Sequence, residues 1–423
     1  MAMILSDIAA SFGEFLTVIS YTWFIVLPIA GWWFFKFLWM KHIQLRYLLK
    51  MRFTLLEIIP PQNIEKSPQP IESLFLAMAA VVRTPTVFEE FLDGYFTDPF
   101  SLEVVGKGGD GAHIYIRTPA AMRSMVESHL YAQYPEVEIA EVPDYVDEVP
   151  AVVPNKDWNL WGTDFELTDP DPMPIKTYRH FEEDVTGKMI DPMAGLIEIL
   201  GQLPPGQHLW FQLTITPLPE KWTKTVGLPF VQEKAGRVSK KASPFEKIWI
   251  DITDIVKGVF TGIFSPPEFA AKEEKKEEQP LEFRLTPGEK RTLEALEANV
   301  GKNVYDTKMR MVYLGRRDSF DKATFVSGFI GGIKQFSDQN SNGFKPNDAS
   351  KTYANYVLRD SRLKYRQRKI FSRYKDRDPT GKTVLLSTEE LASIFHLPDM
   401  AVVSPFIRRV AAKRGSAPSN LPF

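Results

Sequence analysis

The chain contains no cysteine. Disulfide staples, zinc–thiolate sites, iron–sulfur clusters and cysteine nucleophiles are thereby excluded. It also lacks a charge excess: 51 Lys and Arg stand against 53 Asp and Glu, a formal net charge of −2 over 423 residues. A nucleic-acid-binding charge spread over the whole molecule is absent, so any such surface must be local. No two of the histidines (His42, His113, His129, His180, His208 and His396) sit at metal-ligand spacing. The acid run Glu182-Glu183-Asp184 has nothing near it in sequence to complete an acid–base site. No catalytic residue, cofactor or metal site is expected, and the chain reads as a non-enzyme.

Hydrophobic residues make up 44% of the chain and charged residues 25%, enough to bury a core in two or three domains. One apolar run stands out. Between Glu14 and Lys36 lie 21 residues without charge, FLTVISYTWFIVLPIAGWWFF, close to the ~20 that a membrane-crossing helix needs. Trp23, Trp32, Trp33 and Trp39 lie in or beside it, and indoles favour the headgroup boundary. Pro28 and Gly31 are tolerated in a spanning helix. Lys36, Lys41, Arg46, Lys50 and Arg52 follow the run, whereas no Lys or Arg precedes it. Positive charge is retained inside. The expectation is a single-pass inner-membrane protein with 1–14 outside, a transmembrane helix at 15–40 and the remainder in the cytoplasm, the lipid bilayer being one partner. The alternative is a buried helix of a soluble core.

After the run, RFTLLEIIPP (52–61), PIESLFLAMAAVV (70–82), FSLEVV (100–105), AHIYIRT (112–118), PAAMRSMVESHLYAQYP (119–135) and EVEIAEV (136–142) read in the order β-α-β-β-α-β. That is the split βαβ pattern of ferredoxin-like domains. A second unit repeats the logic over 151–350, with strands at 163–169, 174–180, 207–218 and 303–315 and helices at 191–203, 286–300 and 322–336. An insertion at 219–283 interrupts it, comprising an amphipathic helix at 245–264 and a charged linker at 268–283. The expected fold is α+β: one transmembrane helix followed by duplicated ferredoxin-like α/β sandwich units, at 41–150 and 151–350. A basic helix with a strand–helix segment (351–400, Thr388 as N-cap) and a linker (401–423) close the chain.

Three motifs resemble ligand sites and fail on context. Gly106-x-Gly108-x-x-Gly111 leads into a strand, where a dinucleotide site needs a helix N-terminus. Gly381-Lys382-Thr383 has Asp376 where a P-loop needs glycine, and a strand follows. Asp338-x-Asn340-x-Asn342-Gly343 opens like an EF-hand loop, but Ala349 stands where the bidentate Glu belongs. The stretch 351–382 is more suggestive. Arg359, Arg362, Lys364, Arg366, Arg368, Lys369 and Arg373 are interleaved with Tyr353, Tyr356, Tyr365, Phe371 and Tyr374. Basic side chains neutralise phosphates while aromatic rings stack on bases, so these seven cations are the candidate DNA contacts. A solvated helix face is the plain alternative.

Arg117-Thr118-Pro119, HLYAQYPEVEI (129–139), Trp161-Gly162-Thr163, DPMAGLIEIL (191–200), HLWFQLTITP (208–217), NGFKPN (342–347), LLSTEELASIFHLP (385–398) and APSNLP (417–422) carry a resemblance. They resemble the N-terminal, non-ATPase region of membrane-anchored HerA/FtsK-like or coupling-protein-like ATPases of conjugation and type IV secretion in candidate-phyla bacteria. In such proteins an ATP-binding domain follows the last of these segments. Here the sequence stops at Phe423 without a P-loop, which implies a motor on a separate chain or a truncated or split product. The resemblance implies a non-catalytic anchoring and assembly module for a P-loop translocation ATPase, with homo-oligomerisation. A membrane-tethered DNA-binding adaptor using 351–382 is the alternative.

Overall fold

Side chains that alternate between two apolar faces need a covering layer on each, and the strands of this chain alternate in that way. In the computed structural model the described residues are 2–61, 67–81, 83, 85–181, 191–219, 221–235, 286–338 and 341–399, with side chains in the first helix at 24 and from 27 onward. The helix expected at 245–264, the linkers at 268–283 and 401–423, and Glu182-Glu183-Asp184 lie outside them. The chain forms two compact units, 1–53 with 83–98, and 54–82 with 99–423.

The first unit is built on α1 (Ala2–Lys50). Trp39 donates its indole N–H to the Phe91 carbonyl (2.7 Å), and the Tyr47 ring meets Tyr95 and Phe96 edge-on. Among the described residues no helix is long and apolar enough to cross a membrane. This corrects the expected transmembrane helix, and with it the single-pass inner-membrane placement. Past Phe35 the helix carries Lys36 and Lys41, and Trp39 has a protein carbonyl as its partner. Trp32 and Trp33 are exposed, and the Trp23 side chain lies outside the described set.

The second unit corrects the fold class further: it is mixed α/β, with all the described strands in one nine-stranded antiparallel sheet. The strands are β1 (Phe53–Ile59), β2 (Phe100–Lys107), β3 (Gly111–Pro119), β4 (Glu138–Glu141), β5 (Trp158–Leu167), β6 (Gln207–Pro217), β7 (Val304–Arg316), β8 (Phe344–Pro346) and β9 (Val384–Ser387). Their order is β4-β1-β3-β2-β6-β7-β5-β8, with β9 also on β7. The four strands on either side of the β2–β6 seam follow the same sequence rule: the last lies beside the first, and the third beside the second. At the seam β2 and β6 pair from Phe100↔Ile215 to Lys107↔His208.

One face of the sheet carries Leu56, Leu102, Val104, Phe211, Leu213, Met309 and Met311. It is covered by α2 (Gln69–Ala80), α3 (Arg123–Gln133), α4 (Ala194–Gly201), α7 (Lys322–Lys334) and α9 (Thr388–Ile394). Between β6 and β7 the chain forms α5 (Leu228–Lys234) and α6 (Pro287–Val300), which share a small cluster of Val231, Leu296 and Val300. The cap of α9 is Ser387, not Thr388. Its hydroxyl accepts from the Glu390 amide (3.4 Å), and the Glu390 carboxylate accepts from the Ser387 amide (2.7 Å). The strand expected at 174–180 is absent, because its amides turn to side chains of α9. Ile175 N–H donates to Glu390 and Tyr178 N–H to Ser393.

The glycine motif at 106–111 is the β2–β3 hairpin. A Cβ on Gly108 would lie 1.8 Å from the Pro204 carbonyl oxygen, so only glycine fits against that neighbouring loop. Gly108→Ala is expected to destabilise the unit by roughly 1–3 kcal/mol. A urea melt followed by tryptophan fluorescence checks this, and an unchanged midpoint would show that the loop yields.

Candidate functional site

The opposite face of the sheet carries a polar row across four strands. Glu103 on β2 pairs in register with Gln212 on β6, Gln212 with Arg310 on β7, and Arg310 with Asp164 on β5. All four are buried. Buried polar groups need partners, and here most are supplied by the one helix lying over the row, α8 (Arg359–Lys375). Its buried positions, Gln367, Ile370, Phe371 and Tyr374, recur at helical spacing and pack on Leu160, Trp210, Val312 and Leu314. Gly162 makes room for it, since a Cβ there would stand 3.2 Å from the Ile370 side chain.

The last turn of a helix leaves carbonyls without intrahelical partners. The polar row supplies them. Arg310 donates to the carbonyl oxygens of Arg373 (2.7 Å) and Asp378 (3.3 Å), and Gln212 donates to that of Tyr374 (3.3 Å). Arg377, just past the helix, donates to the Lys375 carbonyl and to both Glu103 and Asp144. Cations at a helix C-terminus also complement its dipole.

Between α8, the 347–350 loop and the Gly381-Lys382 turn lies a cavity of about 650 Å³. Its floor is Asp164 and Lys308. The Lys308 ammonium is 2% exposed, bonds Asp164 (2.8 Å) and donates to the Lys382 carbonyl (2.8 Å). Arg310 holds the other oxygen of Asp164 at 2.8 Å. Burial pushes the Asp164 carboxyl up, but the Arg310 and Lys308 charges outweigh it and hold it below the usual carboxylate range. Burial lowers the Lys308 ammonium pKa, against the pull of Asp164.

The walls are cationic. Arg362, Arg366, Lys369 and Arg373 of α8 line the cavity with Lys382. Arg373 pairs with Asp378 (3.3 Å) and Lys382 with Glu166 (2.9 Å). The other three have no carboxylate partner among the described residues. Arg362 donates to the Asn355 carbonyl, Arg366 to those of Lys351 and Tyr353, and the Lys369 ammonium lies 5.7 Å from the Tyr365 ring centroid. Facing cations without counter-ions in a concave site attract an anion.

Of the seven cations singled out from sequence, the structure brings Arg362, Arg366, Lys369 and Arg373 together. Arg359, Lys364 and Arg368 are exposed on the same helix outside the cavity lining. Among the interleaved rings, Phe371 and Tyr374 are core residues, whereas Tyr353, Tyr356 and Tyr365 are exposed. Arg377 is buried and structural. Sequence reading missed the floor. Its signal was there, in Lys308 and Arg310 alternating with methionines inside an otherwise apolar strand, KMRMVYL.

A model of one protein family matches residues 98–409, more than half of the chain. The chain belongs to that family, DUF8128, a domain of unknown function. The DUF8128 span takes in β2 through α9, and so contains the polar row, α8 and the cavity. No curated protein matches the chain.

The remaining sequence motifs have structural roles. Asn342, the fifth position of the EF-hand-like run, is buried and organises its loop. Its amide oxygen accepts from the amides of Asp169 and Gly343, and its nitrogen donates towards the carbonyls of Asp169, Pro170 and Met173. Among the described residues no group of three or more His, Asp or Glu is placed to hold a metal ion.

Proposed function

We propose that this chain is a DNA-binding adaptor that grips the phosphodiester backbone with the cavity beside α8. The observation that carries this is the convergence of Arg362, Arg366 and Lys369, none paired with a carboxylate among the described residues, on one cavity. At ~1.5 Å rise per residue, Arg362, Arg366, Lys369 and Arg373 climb the helix in steps of roughly 6, 4.5 and 6 Å. Such a ladder offers successive donors to successive phosphates. Binding, not catalysis, fits the floor. Asp164 is bridged by Lys308 and Arg310 and held ionised, which leaves it a poor base. This reading stands ahead of the ATPase-assembly role that the resemblance implies, because the cavity supplies a chemistry for it.

The test is fluorescence anisotropy of labelled DNA with the full chain between 50 and 200 mM salt. Arg362 and Lys369 are exposed, so their replacement leaves the core intact. The double variant Arg362→Gln/Lys369→Gln is expected to weaken binding at least tenfold and to flatten the log–log salt slope by about 1.4–1.8, at ~0.7–0.9 for each phosphate no longer neutralised. An unchanged slope would sink the proposal.

A further inference from the structure

The cations beside α8 lie at three depths. Lys308 is at the floor, 2% exposed; Arg366 and Arg373 are half-buried on the wall; Arg362, Lys369 and Lys382 are at the rim. Outside the cavity, Arg359 continues the positive surface towards the helix N-terminus, whereas Lys364 and Arg368, about half a turn round the helix, lie on its outer face. A mononucleotide filling about 650 Å³ would leave Arg359 without a role. A duplex carries its phosphates on the outside of a stiff cylinder, with bases stacked inside and a persistence length of ~150 base pairs. It meets the rim of a concave site and not its wall or floor. A single strand bends freely, turns a phosphate inward and leaves its bases unstacked.

An unstacked base needs a ring. Tyr365 lines the cavity, is 64% exposed, and has the Lys369 ammonium at 5.7 Å from its centroid. No side-chain hydrogen bond of its hydroxyl is present among the described residues, so the ring is not tied to the protein by its polar end. Tyr356, 90% exposed, precedes the helix. A cationic groove with aromatic rings beside it is the arrangement by which proteins hold single strands without reading sequence.

We infer that the cavity is specific for single-stranded nucleic acid, with one phosphate drawn to the Arg366–Arg373 wall and a base stacked on Tyr365. This rests on the DNA-binding reading above. Polymer length matters because Arg359 extends the contact past the cavity; strand number matters because of the depth of the wall.

The full chain is titrated by anisotropy against a fluorescein-labelled oligothymidine and against a hairpin duplex of equal charge, at one salt concentration. The single strand is expected to bind at least tenfold more tightly. Tyr365→Ala is expected to weaken the single strand by roughly tenfold and to leave the duplex unchanged, whereas Tyr365→Phe keeps the affinity. Equal affinity for the two forms, or a Tyr365→Ala variant that binds the single strand as the parent does, overturns the inference while leaving the phosphate grip standing. Absence of binding to either form overturns both.

Discussion

Glu103→Gln is expected to cost about 3–5 kcal/mol of unfolding free energy, the range for breaking one side of a buried ion pair. Glu103 is fully buried on a central strand. It accepts from Arg377 Nε (3.0 Å) and Nη2 (3.2 Å), from the hydroxyls of Ser101 (2.6 Å) and Tyr145 (2.7 Å), and from Gln212 (3.0 Å). The amide keeps the shape and removes the charge. Arg377 is then left buried with Asp144 as its carboxylate partner, and the hydroxyl and amide donors around Glu103 no longer face a charged acceptor. The double variant Glu103→Gln/Arg377→Met is expected to recover part of the loss, since no buried guanidinium then faces an uncharged acceptor. Urea denaturation of the three proteins measures both steps. A single variant as stable as the parent would show that the pair contributes nothing.

The same group sets a pH dependence. Burial alone pushes the Glu103 carboxyl up, but the charge and hydrogen bonds of Arg377 outweigh it and bring the pKa down to about 2, from 4.5. A folded-state value below the unfolded one contributes stability that is complete above pH ~4.5 and is lost as pH falls towards 2. The parent should therefore lose stability across that window, and Glu103→Gln should lose less over the same interval.

Asp164→Asn is expected to act in two opposite directions. Without the carboxylate, Lys308 and Arg310 keep only carbonyl partners, and a loss of about 3 kcal/mol or more is expected in urea. The cavity floor meanwhile gains one positive charge in excess, so an anion bound there is held more tightly. DNA or inorganic phosphate should raise the melting temperature of the variant by more than that of the parent, because a ligand stabilises in proportion to its affinity for the folded state. A variant that is destabilised but gains no more from phosphate than the parent would separate the floor from the binding site.

The sequence made the strands of the first half legible because their alternation is clean: Leu102, Val104 and Ile114 face one way, Glu103, Val105 and Tyr115 the other. It did not reveal that β2 would find β6 about 100 residues later, since strand pairing across that distance leaves no local mark. The basic helix was legible as charge, yet its division into core, cavity and outer faces required knowing which side meets the sheet. Arg377 looked like one more surface cation and is a buried clamp, because its left-handed backbone just after α8 (φ +50°) brings it back over Glu103. The first helix misled for a different reason. An uncharged run satisfies a length criterion in sequence, whereas among the described residues no helix is long and apolar enough to cross a membrane, and beyond the run Trp39 and Tyr47 are engaged by the chain's own 91–96 segment.

The seam between β2 and β6 also bears on how the chain is made. During synthesis β2, ending at Lys107, emerges well before Gln207 opens its partner. At ~5–20 residues per second, that interval of about 100 residues lasts on the order of 5–20 s. Throughout it, the nascent first half presents an unpaired, largely apolar strand edge, the geometry that recruits other chains. Ribosome-associated chaperoning, slow recovery from denaturant and loss of yield on overexpression are the physiological marks that such an edge leaves.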